Sequence, residues 1–230
     1  MYDPQAKKLN EQSPFKEIVV EISARQLSAK SETLRQMSMF LTQAVFMEVC
    51  VHPKPGLVTR HGSGAHTDMS ILTFAAGSAV LAKAFSDLQI LGMKHNGNYQ
   101  ELFGKVRRYG VSAEQELLRV TKGVNTQRGI LFAGGLLAAA AGAAMNKGLD
   151  SKALCSIVAE MTQGLTENEL AGLQADRPLT AGERLYQAYG ITGIRGEVEA
   201  GFPSVRQNGL PGLKAVSYTH LRAHETLMNL

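Results

Sequence analysis

The sequence predicts an all-α protein: a single multi-helix domain packed around a central Ala/Gly-rich helix, with a short extended lead at its N-terminus. Three observations point there. Apolar residues recur at helical spacing in one segment after another; the stretch between Arg128 and Lys147 has no charge and is mostly Ala and Gly; and no alternating strand pattern follows the first 27 residues. The chain has 230 residues, 44% hydrophobic and 19% charged, which suits one folded domain with a proper core and lies far from the composition of disordered chains.

Residues 1–27 hold Pro4, Pro14 and the β-branched run Ile18-Val19-Val20, read as a strand or extended arm with no assigned function. The domain proper is set at 28–215. Its first helix is predicted from Ser31, an N-cap with Glu32 in the first turn. Leu34, Met37, Leu41, Ala44, Val45 and Val49 supply its apolar face. It should end near His52, because Pro53 disfavours helical geometry in the residue before it. A Pro/Gly-rich loop follows, then a helix from Asp68 toward Leu91 that Gly92 is expected to stop. Two shorter helices are predicted over Tyr99–Tyr109 and Ser112–Thr121.

The segment Gly129–Asn146 could be mistaken for a membrane span. It barely reaches the roughly 17 to 25 residues required. Its five Ile, Leu and Phe residues supply only about −2 kcal/mol of insertion free energy in a helix with four glycines. A central soluble helix, whose small residues let neighbours come close and whose C-cap is Gly148, is the better reading. Asp150–Gln163 follows as an amphipathic helix closed by Gly164. Thr180–Tyr189 opens on the capping-box pattern Thr180-Ala-Gly-Glu183 and ends at Gly190.

The formal charge of +4 is spread along the chain, with Lys7-Lys8 and Arg107-Arg108 the only adjacent basic pairs cited, so nucleic acid is not the expected partner. Cys50 and Cys155 lie in apolar helical stretches without companions at metal spacing and are read as reduced core residues. The N-terminus lacks a signal-peptide pattern, and a cytoplasmic location is expected.

Chemistry is sought in three polar, glycine-dense connections. The first runs from Glu48 to Met69 and holds the carboxylates Glu48 and Asp68, the cations Lys54 and Arg60, and His52, His61 and His66. Its glycines let backbone N–H groups approach a phosphate. The second sets Lys122, Asn125, Thr126 and Arg128 before the small-residue helix, whose N-terminal dipole favours an anion. The third, Tyr189 to Pro203, carries Arg195, Glu197 and Glu199, hard oxygen donors at a density that suits Mg2+. The plain alternatives are solvated loop cations at Lys54 and Arg60, and a surface pair between Arg195 and Glu197. Neither a Rossmann nor a P-loop glycine pattern occurs. Composition and spacing therefore lead to a helical protein with an anionic-ligand site.

Particular residues carry more. Glu48-Val, Pro53-Lys-Pro-Gly-Leu-Val58, Gly64-Ala-His-Thr-Asp-Met69, Gly123-Val-Asn-Thr126 with Gly129, Gly164-Leu-Thr166, Thr180-Ala-Gly-Glu-Arg-Leu-Tyr186 and Gly190-Ile-Thr-Gly-Ile-Arg-Gly-Glu-Val-Glu-Ala-Gly-Phe-Pro203 occur in one order over roughly 40–211. This pattern resembles the triphosphoribosyl-dephospho-CoA synthase family. The resemblance implies a transferase that joins the triphosphoribosyl part of ATP to the 2'-hydroxyl of 3'-dephospho-CoA and releases adenine. The product would be the prosthetic-group precursor of the acyl-carrier subunit of citrate lyase or malonate decarboxylase. ATP and 3'-dephospho-CoA are then the expected partners, without a membrane. Lys54, Arg128 and Arg195 are expected to hold phosphates, with Arg60, His66, Asn125 and Thr126 also on the substrate. Glu197 and Glu199 are expected to bind Mg2+, and Asp68 or Glu48 to act as base or metal partner.

Two departures stand out. Thr59 occupies a place where the family commonly has Asp. After Ala215 the chain leaves the family pattern, and residues 216–230, Val216-Ser-Tyr-Thr-His-Leu-Arg onward, resemble translated sequencing adapter. His220, His224 and Glu225 in that tail are not read as a metal motif. The expectation is a C-terminally truncated synthase that turns over poorly. The competing reading is a non-enzymatic helical binder of a phosphorylated ligand or RNA.

Overall fold

The computed structural model describes residues 29–171 and 179–217, and these are helical with no β-strand among them. The main helices are α1 (Ala29–Cys50), α2 (Ile71–Met93), α3 (Tyr99–Val120), α4 (Arg128–Lys147) and α5 (Leu154–Met161), the last preceded by a 3-10 turn, Ser151–Ala153. A π-helical turn, Glu167–Ala171, follows, and then α6 (Ala181–Tyr189) and α7 (Gly193–Glu199). A final helix over residues 203–217 widens to π geometry at Val205–Gly209, just before Pro211 removes a backbone donor. The N-terminal lead and residues 218–230 of the tail, with His220, His224 and Glu225, lie outside the described residues.

The Ala/Gly-rich α4 forms the centre, with twelve buried residues from Leu131 to Ala144. Its small side chains permit contact that larger ones would block. A β-carbon at Gly142 would fall 1.9 Å from Gln89 O, and one at Gly92 on α2 would fall 1.9 Å from Ala139 O. Gly134 and Gly135 face Phe85 and Leu88 in turn. Those facing pairs advance together along both chains, so α2 and α4 run parallel. α3 runs the other way, with Leu117 against Gly77 and Tyr109 donating its O–H to Asp87 Oδ2 at 2.6 Å. α1 is also antiparallel to α2, and near its start Ser38 hydrogen-bonds the buried Gln89 side chain. Phe85, Leu81, Leu88, Leu102, Leu117 and Leu136 fill the space between the four helices.

By length and composition both α2 and α4 could cross a membrane, but two-thirds of the apolar window of α4 is buried inside the bundle. The outer faces of α1 and α2 leave a mainly apolar groove of 660 Å³ that includes Met39, Phe46 and Ala79, with Ser38 and Ser78 among its polar groups.

Several predicted boundaries shift. α1 begins at Ala29, so Ser31 lies inside it and is not the cap. α2 begins after Ser70, not at Asp68, and Thr73 Oγ1 accepts from Ser70 N at 3.2 Å. Gly92 does not stop the helix; it is where the backbone of α4 passes closest. The two helices expected across 99–121 are one. Gly110 lowers helix propensity, but Leu102, Val106, Tyr109, Ala113 and Leu117 form an unbroken buried face across it. Gly148 caps α4 with φ 68°, as the sequence predicts, and Thr180 and Glu183 form the predicted capping box.

Candidate active site

Because α2 and α4 are parallel and α1 and α3 antiparallel to them, the connections 51–70 and 121–127 emerge at one end of the bundle. This end gathers the first two predicted loops. The 51–70 loop folds on itself: Thr59 and Gly62 exchange backbone hydrogen bonds, and Ala65 N donates to Gly56 O at 3.1 Å. Gly64 sits at the fold-back with φ 62°, where a β-carbon would fall 2.5 Å from Leu57 O, so only glycine fits. Val58 is buried beneath, and Thr59 Oγ1 accepts from His61 N at 3.2 Å.

On this scaffold Lys54 Nζ donates to the Glu48 carboxylate at 3.0 Å and to Glu48 O at 2.8 Å. The Lys54 side chain is only 15% exposed whereas Glu48 is 66% exposed. The ammonium group is thus fixed at the C-terminal end of α1. His66 Nδ1 lies 3.6 Å from Asp68 Oδ1, and Asp68 is exposed. Arg60 is exposed, its Nε against His61 Nε2 at 3.0 Å.

The 121–127 loop turns through positive φ at Lys122 and Gly123 and enters α4 at Gln127, with no side chain capping that helix. Asn125 is exposed. Two acceptors here are buried without a partner in the structure, Thr126 Oγ1 and Gln127 Oε1. Gln127 is 4% exposed, and its amide nitrogen reaches Ser78 Oγ at 3.4 Å. Arg128, just inside α4, pairs through Nε with Glu114 of α3 at 2.8 Å. An uncapped helix start, whose free N–H groups favour an anion, thus shares this end with Lys54 and Arg128, each paired with a carboxylate.

The third predicted loop is largely helix α7, and it does not join the other two. Val198 and Phe202 bury its inner face, and Gly201 lies against Cys155 O of α5. Arg195 Nε donates to Glu169 Oε2 at 2.6 Å, so its partner is Glu169 and not Glu197. Glu169 Oε1 takes Arg107 Nη1 at 2.6 Å. Arg107 stands seven residues before Glu114, about 10 Å along α3 from the Arg128 pair.

Both carboxylates expected to bind Mg2+ accept hydrogen bonds from the protein. Glu197 accepts from Ser204 N at 2.8 Å and from Ser204 Oγ at 3.0 Å, which caps the next helix. Glu199 accepts from Gly164 N at 2.6 Å, from Thr166 N at 3.0 Å and from Thr166 Oγ1. Burial would push the Glu199 carboxyl up, but bonds from the Thr166 hydroxyl and the N–H groups of Thr166, Gly164 and Leu165 together hold it below its ordinary value. Both carboxylates are engaged in different turns. Among the described residues no group of three His, Cys, Asp or Glu is placed to hold a metal ion. Sequence reading missed Glu169, whose one available signal was its position three residues after Gly164-Leu-Thr166.

A family model described as CitG, ATP:dephospho-CoA triphosphoribosyl transferase, matches residues 34–230, a span that takes in 216–230. A protein of Pectobacterium carotovorum named probable 2-(5''-triphosphoribosyl)-3'-dephosphocoenzyme-A synthase is 40% identical over 186 residues, covering 80% of this chain and 61% of its own length. One of the same name from Lactiplantibacillus plantarum is 42% identical, covering 81% and 67%. A synthase from Pectobacterium atrosepticum is 38% identical, covering 79% and 61%. The chain therefore spans about three-fifths of the length of these relatives. No solved structure matches it. With the family model matched over most of its residues, the chain belongs to the ATP:dephospho-CoA triphosphoribosyl transferase family.

Proposed function

We propose that the bundle end formed by loops 51–70 and 121–127 is the site at which the triphosphoribosyl group of ATP is transferred to 3'-dephospho-CoA. The observation that carries this reading is the uncapped N-terminus of α4, on the same end of the bundle as the cations Lys54 and Arg128. The helix dipole and Lys54 favour the triphosphate, while Arg128, Arg60, Asn125 and Thr126 border it.

In the reaction the bond between the ATP ribose C1' and adenine breaks, and a bond from C1' to the 2'-oxygen of dephospho-CoA forms. The proton leaves the attacking hydroxyl and charge passes to the departing adenine. Asp68 is the better base, since it is exposed and close only to His66, whereas Glu48 is held by Lys54. General-base assistance of this kind contributes about 10^2 to 10^4-fold. Mg2+ bound with the triphosphate would supply positive charge to its phosphate oxygens.

The product would serve the acyl-carrier subunit of citrate lyase or malonate decarboxylase. The reaction takes place in the cytoplasm and needs neither nucleic acid nor membrane. Adenine release that requires both ATP and dephospho-CoA, and that falls at least tenfold in Asp68→Asn, is the expected result. Equal release by Asp68→Asn refutes the base assignment, and binding of RNA without turnover refutes the enzyme.

A further inference from the structure

Glu169 is the least exposed member of a three-residue charge cluster, at 22% against 33% for Arg195 and 55% for Arg107. Its two oxygens are divided between two helices: Oε1 takes Arg107 Nη1 from α3 and Oε2 takes Arg195 Nε from α7, both at 2.6 Å. The backbone beneath it is fixed as well. Leu170 is buried, and Glu199 ties Gly164 and Thr166 of the same segment to the end of α7. Engagement of Arg195 through Nε leaves the Nη1/Nη2 edge of the guanidinium, the edge that meets phosphate oxygens as a fork. Among the described residues that edge has no recorded partner.

From this geometry we infer that Glu169 is the positioning residue of Arg195, holding the guanidinium by Nε so that its Nη edge is presented to a phosphate, with Arg107 as the second anchor of the carboxylate. The inference rests on the proposed transfer reaction and on the phosphate role expected of Arg195, and it adds a phosphate contact outside the bundle end formed by loops 51–70 and 121–127. Two arginines around one carboxylate keep a net positive charge, so the cluster both orders the fork and attracts an anion.

Two effects of neutralising Glu169 have opposite signs. Removing a negative charge beside an anion site strengthens anion binding by Coulomb's law alone, whereas losing the oriented fork weakens it. A role limited to folding lowers thermal stability and leaves affinity unchanged.

The test is titration calorimetry with inorganic tripolyphosphate on the full chain, comparing Glu169→Gln, Glu169→Asp, Arg195→Gln and the double variant Glu169→Gln/Arg195→Gln. Glu169→Gln is expected to weaken binding roughly tenfold, the scale of a lost hydrogen bond to a charged group. Glu169→Asp should recover part of that loss. In the Arg195→Gln background Glu169→Gln should cause no further loss, since both act through one guanidinium. Should Glu169→Gln fail to fold, Glu169→Asp beside Arg195→Gln supplies the comparison. Unchanged or tighter binding in Glu169→Gln, additive losses in the double variant, or no tripolyphosphate binding by the unaltered chain overturns the inference. Adenine release is measured separately, so failure of the proposed reaction is distinguishable from failure of this assignment.

Discussion

Replacing Gly92 by Ala tests the close, parallel α2–α4 contact on which the bundle is built. The added methyl would fall 1.9 Å from Ala139 O and 2.8 Å from Ala139 C, both main-chain atoms that cannot rotate away. A carbon–oxygen contact settles near 3.4 Å, so the helices must part by about 1.5 Å. Overpacking of that kind costs roughly 1–3 kcal/mol, here at the upper end because the obstacle is backbone. The gain in helix propensity from Gly to Ala offsets about 1 kcal/mol. A net loss of about 2 kcal/mol is expected, which lowers the melting temperature by about 4–8 °C for a chain of this size. Gly110→Ala on α3 is the control, because a β-carbon there meets nothing within 4 Å. It should raise stability by about 0.5–1 kcal/mol. Urea unfolding followed by circular dichroism measures both. If Gly92→Ala is as stable as the unaltered chain, the parallel contact described here is wrong.

Other outcomes follow from single side chains. Glu199 is held below its ordinary carboxyl value when folded, so its contribution is present above the unfolded value of 4.5 and fades as pH falls toward the folded one. Glu199→Gln should therefore be less stable at pH 7 and lose less stability than the unaltered chain between pH 5 and 3; parallel acid-unfolding curves would contradict this. Lys54→Ala should raise the KM for ATP about tenfold and lower stability modestly, since the largely buried Lys54 also holds the C-terminal end of α1 through Glu48 O. An unchanged KM removes Lys54 from the phosphate site. Asp68→Asn should lower kcat by about 10^2-fold or more with unchanged melting, because Asp68 is exposed.

The fold was legible where local chemistry and tertiary packing agree. The uncharged run between Arg128 and Lys147, closed by Gly148, and the reciprocal Thr180–Glu183 cap are local signals, and both appear where expected. The expected stop at Gly92 and the expected break between Tyr109 and Ser112, where Gly110 lies, failed for one shared reason. A glycine in sequence shows its conformational freedom but not what presses on it, and here a neighbouring helix and a continuous apolar face decided the outcome. The site was legible in part by the same logic. Loops 51–70 and 121–127 come to the same end of the bundle because the four helices alternate in direction, which appears only once the helices are packed. Glu199 read as a metal ligand because its neighbour Glu197 is two residues away, yet its actual partners lie 35 and 33 residues back. Glu169 offered little beyond its nearness to Gly164-Leu-Thr166, since a carboxylate shared by Arg107 and Arg195 exists only once α3 and α7 are placed.

The central claim, that this bundle end transfers the triphosphoribosyl group, is tested most directly by adenine release from ATP in the presence of 3'-dephospho-CoA. The measurement is made on this chain and on the same chain extended with the C-terminal part of a 40%-identical relative. Adenine is predicted to form only when both substrates are present, and to be lost in the Lys54→Ala/Asp68→Asn double variant. No adenine from either folded form, or an undiminished rate in the double variant, would contradict the account.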